Sequence, residues 1–151
     1  MEAGDKAPTF KLPSTEGGEK SLKDYAGKKL VLYFYPKDAT PGCTQEACDF
    51  RDNMARLKKL GVAVVGVSKD SLESHAKFRV AQKLPFELLS DADNAVAKAY
   101  NAYGEKNMYG KKVMGTIRTT VLIDEKGKVV QVWSPVKVPG HVEKVLEAIS
   151  G

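Results

Sequence analysis

Both cysteines of the chain lie in one stretch, Tyr33-Phe34-Tyr35-Pro36-Lys37-Asp38-Ala39-Thr40-Pro41-Gly42-Cys43-Thr44-Gln45-Glu46-Ala47-Cys48, and it constrains the fold more than any other. Leu30 to Tyr35 is an apolar, aromatic-rich run, which predicts a buried strand. Pro36 ends it, and Thr40-Pro41-Gly42 is turn punctuation. From about Cys43 the apolar residues Ala47, Phe50, Met54 and Leu57 recur at helical steps. They predict one long helix ending near Leu60, with Gly61 as its stop. Cys43 therefore falls at a strand-to-helix junction, near the first turn. Free backbone N–H groups and the positive end of the helix dipole favour a thiolate there. The alternative is a buried structural cysteine. A position behind Pro, Thr, Pro and Gly at a helix start is not the usual core position, and favours a reactive thiol.

The rest of the chain organises around this unit. Residues Gly4 to Gly27 predict a short hairpin and then a turn of helix at Ser21 to Tyr25. Val62 to Ser68 is continuous and β-branched, so it reads as a strand buried on both faces. Ser71 caps a second helix with a rough apolar face of Leu72, Ala76, Phe78 and Val80. Phe86 to Leu89 predicts a short strand, and Asp91 or Asp93 starts a third helix through Val96, Ala99 and Tyr100. Asn101 to Gly115 has no clear period and reads as a long functional or mobile loop. Thr119 to Asp124 and Val129 to Trp133 flank a turn at Gly127, a β-hairpin. His141 to Ile149 is a terminal helix presenting Val142, Val145, Leu146 and Ile149. This order predicts a three-layer α/β fold, with residues 1–151 as one domain.

Composition narrows the function. The net charge is +5, but the lysines are scattered, so no basic stripe with interleaved aromatics points to nucleic acid. No apolar run approaches the roughly 20 residues that cross a membrane. The N-terminus lacks the apolar core of a secretory signal, and the expectation is a cytoplasmic protein. Two cysteines are too few for a disulfide scaffold and suit a reducing compartment where a thiol pair does chemistry. They lack a second pair at ligand spacing, so no metal site is expected. His75 is expected on a helix surface and His141 near the start of the last helix; neither is spaced for a Cys–His pair. Tyr33, Tyr35, Tyr103, Tyr109 and Trp133 read as packing residues.

A thiolate also needs a cation or donors nearby. Arg118 follows Gly115-Thr116-Ile117 and directly precedes the strongest late strand, which places it at a strand end near the centre of the sheet. The alternative is a surface arginine paired with an acid.

At these residues the chain resembles a known family. Pro36, Thr40 and Cys43 form Pro-x-x-x-Thr-x-x-Cys, similar to the peroxidatic motif of the peroxiredoxins. Cys48 resembles the resolving position of the bacterioferritin-comigratory, or Q-type, subfamily. Gly104-Glu105-Lys106, Gly110-Lys111, Gly115, Arg118-Thr119 and Ile123-Asp124 match that subfamily too, and the likeness runs from about Gly4 to Ala148. Thr120-Val121 and Val113-Met114 are small variations that remove no reactive group. The resemblance implies a thioredoxin-like α/β/α fold with an N-terminal extension. It implies a peroxidase without metal, haem or flavin that reduces hydrogen peroxide and organic hydroperoxides. Cys43 is then the nucleophile, Thr40 a hydrogen-bonding partner of the thiolate or peroxide, and Pro36 a shield against water. Arg118 stabilises the thiolate and polarises the O–O bond, and Glu46 orients Arg118. For Glu46 a plain helix-dipole role stays open. The sulfenic acid on Cys43 would condense with Cys48, and thioredoxin or a similar dithiol would reduce the disulfide. An intramolecular disulfide needs no dimer, so a monomer is expected.

Two other readings compete. A protein-disulfide oxidoreductase usually carries Cys-x-x-Cys, whereas the spacing here is Cys-x-x-x-x-Cys. A redox-sensing or chaperone-like binding protein would use the same thiol as a slow switch. Helix geometry sets one further expectation. Five residues apart on a regular helix, the two cysteine Cα atoms are about 8.6 Å apart. A disulfide tolerates about 7 Å, so the helix must open for one to form.

Overall fold

The computed structural model describes residues 1–150 of the chain. A five-stranded sheet in the order β5-β4-β3-β8-β9 is built from β3 (Lys29–Phe34), β4 (Val62–Ser68), β5 (Glu87–Ser90), β8 (Thr119–Ile123) and β9 (Val129–Trp133). β3, β4 and β5 run parallel, and β8 and β9 are antiparallel additions. Side chains alternate across β3 as the pleat requires. Val31, Tyr33 and Tyr35 face one layer with Phe50, Leu57, Phe78, Val145 and Leu146. Leu30, Leu32 and Phe34 face the other, with Phe10, Leu12, Ala97 and Tyr100. Helices α1 (Pro41–Asp52), α2 (Met54–Lys59), α3 (Leu72–Gln82) and α5 (His141–Ser150) contribute to the first layer. Helix α4 (Ala95–Ala99) and the segment around the hairpin β1 (Lys11–Pro13) and β2 (Glu19–Ser21) cover the second. The strands, the first hairpin, the β8–β9 hairpin and α5 appear where the sequence predicts them. Asp91 starts α4 by accepting from the N–H groups of Val96 and Ala97.

Three elements differ from expectation. The single helix from Cys43 to Leu60 is two helices, broken at Asn53. There the side-chain amide donates to the Asp49 carbonyl at 2.8 Å, and the backbone N–H turns to the Phe50 carbonyl instead. Asparagine offering its own donor in place of the backbone's is how such a residue interrupts a helical ladder. In α3 the expected apolar face is wrong: Val80 is 79% exposed, and the buried positions are His75 and Phe78. The long loop is a hairpin, β6 (Tyr103–Met108) paired with β7 (Lys111–Thr116). Its turn, Tyr109-Gly110, has φ of 53° and 82°, the left-handed pair that a two-residue hairpin turn needs. The hairpin pairs only with itself and is largely exposed, so it carries no alternation that the sequence could show.

The core is tight at Gly66 in the middle of β4. A Cβ there would lie 2.8 Å from Leu88 Cδ2 and 2.9 Å from the Tyr33 ring and hydroxyl. All three groups are fully buried, so they have nowhere to move. Gly66→Ala is therefore expected to destabilise the protein by about 1–3 kcal/mol through overpacking. Urea denaturation checks it, and an unchanged midpoint would show that the sheet relaxes freely there.

Candidate active site

The site assembles where β3 ends. The register pairs Phe34 of β3 with Thr119 of β8, so Arg118 lies beside the point where the chain leaves the sheet. The loop from Pro36 to Thr40 then leads into α1. Its Ala39 has φ of +63°, a left-handed conformation that is strained for a residue with a Cβ. Thr40 is the N-cap residue with extended backbone, and Pro41 holds the first helical position, where its missing N–H costs nothing. The first intrahelical bond runs from the Thr44 N–H to the Thr40 carbonyl at 2.8 Å. Cys43 precedes it, so its N–H is one of the unsatisfied donors of the helix start.

Arg118 ties the site together. Its Nη2 donates to Cys43 Sγ at 3.4 Å and its Nη1 to Glu46 Oε1 at 2.8 Å. Glu46 is three residues beyond Cys43, so both point to one helix face. Gly42 allows this approach, because a Cβ there would be 3.2 Å from Arg118 Nη2. Burial pushes the Glu46 carboxyl up to about 7, even though the guanidinium beside it pulls the other way. Among the described residues, Glu46 Oε2 and the Tyr33 hydroxyl are buried without hydrogen-bond partners. Lys106 of β6 adds a second cation, its ammonium pulled down by burial and by the nearby Arg118. It is anchored by donating to the Thr116 carbonyl at 2.9 Å.

Of the residues expected from the sequence, Cys43, Arg118 and Glu46 are in direct contact through the guanidinium. Pro36 is half-buried at the start of the loop. The Thr40 hydroxyl donates to the Lys37 carbonyl at 2.8 Å rather than to the sulfur. Cys48 is half-buried in the same helix as Cys43, and its thiol faces Gln82 Oε1 of α3 at 3.5 Å. Arg51 donates to the backbone carbonyl of the same Gln82 at 2.7 Å.

Sequence reading missed one group. His75 is fully buried, not on the surface. Its Nδ1 lies 2.7 Å from Asp38 Oδ2 and its Nε2 is 2.9 Å from the Leu89 carbonyl. Its spacing of three from Phe78, with Ser71 fixing the helix start, was the available signal. The candidate ligand atoms of Asp38, Asp70 and His75 lie within 4.8 Å of one another, and hydrogen bonds already engage all three side chains. His141 does start the last helix. It is buried against Thr120 Oγ1 at 2.8 Å, and its imidazole is pushed down to about 4 by burial and by the charges of Lys144 and Arg118.

Comparison with known proteins places this geometry. A family model described as the AhpC/TSA family matches residues 3–132. The chain is 46% identical to peroxiredoxin Bcp of Bacillus subtilis over 149 residues, 99% of this chain and 95% of that one. A solved cysteine-to-serine mutant of peroxiredoxin Q from Xanthomonas campestris superposes with a TM-score of 0.92 at 44% identity, covering 99% of this chain and 98% of that one. The bacterioferritin comigratory protein of Xanthomonas campestris, solved in trapped intermediate and ligand complexes that bear on its alkyl peroxide reduction, matches with a TM-score of 0.88 at 45% identity. That match covers 93% of this chain and 90% of the other. The sheet and flanking helices are thus thioredoxin-like.

The contact between Arg118 and Cys43 makes a direct prediction. Arg118→Ala should lower the ultraviolet thiolate absorbance at neutral pH and slow alkylation by iodoacetamide at least about tenfold, because an opposite charge at contact range shifts a protonation equilibrium by that much or more. Circular dichroism should be unchanged. Unaltered absorbance and alkylation would show that Arg118 does not hold the thiolate.

Proposed function

The chain belongs to the AhpC/TSA family and, within it, to the Bcp or peroxiredoxin Q branch, which makes it a thiol peroxidase; we propose how its residues divide the work. The observation that carries the proposal is the Arg118 guanidinium shared between Cys43 Sγ and Glu46 at the start of α1. The Cys43 thiolate attacks the terminal oxygen of a hydroperoxide. An S–O bond forms, the O–O bond breaks, and the departing oxygen takes a proton to leave as water or an alcohol. Negative charge grows on that oxygen in the transition state. Arg118 and the Cys43 N–H are fixed donors beside it and stabilise it more than they stabilise the ground state. The Thr40 hydroxyl spends its proton on Lys37, so its lone pairs remain to accept the peroxide O–H. Pro36 limits water at the mouth of the site. Glu46 holds the guanidinium in place.

The Cys43 sulfenic acid then condenses with the Cys48 thiol, forming an S–S bond and releasing water. Both cysteines lie in the regular helix α1, so their Cα atoms are about 8.6 Å apart, beyond disulfide range. The first turns of α1 must unwind. A dithiol of the thioredoxin type then exchanges with the exposed disulfide. Hydrogen peroxide and organic hydroperoxides are the substrates, in keeping with the alkyl peroxide activity of the Xanthomonas relative. No step needs a cofactor or a second subunit, so the protein works as a monomer. Its thiol pair suits the reducing cytoplasm. No helix among the described residues is long and apolar enough to cross a membrane.

NADPH consumption coupled through thioredoxin reductase and thioredoxin tests the division of roles. Cys43→Ser should abolish peroxide reduction. Cys48→Ser should retain a single turnover and leave a sulfenic acid on Cys43 that dimedone traps. Normal turnover by Cys43→Ser would overturn the assignment. A second measurement addresses motion: amide exchange at Thr44 to Asp49 should be slow in the reduced protein and fast in the oxidised one. Equal protection, in protein shown by mass to carry the Cys43–Cys48 disulfide, would mean that α1 does not open.

A further inference from the structure

The Pro36–Thr40 loop carries Thr40 and delivers Cys43 to the helix start, yet it holds a strained residue at Ala39. Such a conformation persists only where its surroundings over-determine it. The restraint is at Asp38, which is 6% exposed. Its Oδ1 accepts from the Tyr35 hydroxyl at 2.6 Å, its Oδ2 from Ser74 Oγ at 2.8 Å, and its backbone N–H donates to Asp70 Oδ2 at 2.9 Å. Asp70 is held in turn by Ser68 Oγ at 2.5 Å and, at its carbonyl, by Ser90 Oγ at 2.7 Å. His75 closes the network between Asp38 and the Leu89 carbonyl.

Hydrogen-bond roles fix how His75 sits. A carbonyl only accepts, so Nε2 carries a proton and donates to Leu89, while Nδ1 faces the Asp38 carboxyl. Burial alone would push the Asp38 carboxyl up, but hydrogen bonds from His75, Tyr35 and Ser74 more than offset it and hold it below the usual range. Every polar side-chain atom of the buried pair has a partner, the condition under which buried polar groups are tolerated.

We propose that His75 is a positioning residue for the peroxide step: through Asp38 it fixes the Pro36–Thr40 loop, and with it the place where Thr40 and the first turn of α1 meet the substrate. This rests on the roles given above to Thr40 and Cys43. His75 touches no reacting atom. It acts across α3, β5 and the loop, by removing alternatives to the strained backbone at Ala39.

The test is a double-mutant cycle on the rate of Cys43 oxidation by hydrogen peroxide. His75→Gln should slow it by about tenfold or more, as small misplacements at a reacting centre do. In a Thr40→Val background the same substitution should cost less than about threefold, because the loop then has little left to position. Independent, multiplying costs with a slow Thr40→Val would overturn the proposal alone. A Thr40→Val rate equal to the parent's would overturn the role of Thr40, and the proposal with it. Asp38→Asn gives a second route to the same step, since an amide nitrogen facing His75 cannot accept from Ser74. It should slow Cys43 oxidation by about tenfold or more, and by less than about threefold in the Thr40→Val background. Nitrogen-15 spectra of the imidazole give a readout that loss of packing would not move, and Nε2 should carry a proton. A parent-like rate for Asp38→Asn, or an unprotonated Nε2, would overturn the proposal even if His75→Gln failed to fold.

Discussion

A thiol only 2% exposed cannot hold a negative charge unless charge or donors meet it there, and the contact from Arg118 to Cys43 is the constraint on which the rest of the site depends. The arginine reaches the helix from the opposite side of the chain's course. That requires β8 to lie antiparallel beside β3 in one register, and it requires glycine at position 42. The arginine must itself be held, and Glu46 does so at a cost. Its carboxyl is buried, one of its oxygens has no partner, and burial works against its charge. Buried polar groups without partners are uncommon, and both such atoms among the described residues, Glu46 Oε2 and Tyr33 Oη, belong to residues near the reactive sulfur.

The proposed mechanism asks two things of the same helix. Attack on a peroxide would need it intact, since its unsatisfied N–H groups and Arg118 flank the sulfur. A Cys43–Cys48 disulfide would need it open, because helix geometry keeps the two apart. The flanks of this segment are tied to one neighbour. Asp38 binds Ser74 and His75 near the start of α3, while Cys48 and Arg51 meet Gln82 at its end. The Cys48 contact must be given up for its thiol to reach Cys43, whereas the Arg51 contact lies beyond the reacting pair; the strain at Ala39 lies next to Asp38. Local unfolding of this kind draws on a region whose stability is lower than that of the core behind it.

How much of this was legible follows from where each signal resides. The strand at Leu30 to Tyr35, the helix start at Pro41-Gly42-Cys43, the β8–β9 hairpin and α5 are local events. Apolar runs, periodicity and punctuation specify them within a few residues. Arg118 was found from its position before a strong strand. The β6–β7 hairpin was not found, because a hairpin exposed on both faces needs no hydrophobic pattern. Asn53 was not found either, because a helix break by a side-chain amide looks like any polar helix position until its partner at Asp49 is seen.

His75 marks the boundary most clearly. By itself the sequence determined the order of elements, the family likeness and the placement of a reactive cysteine at a helix start, since all of these rest on neighbours in the chain. Only the tertiary structure decided that a histidine on α3 is buried with both ring nitrogens met. Its carboxylate lies 37 residues away and its second acceptor is a backbone carbonyl on β5. A polar residue is buried only when its hydrogen bonds are met, and the folded sheet alone brings those partners together.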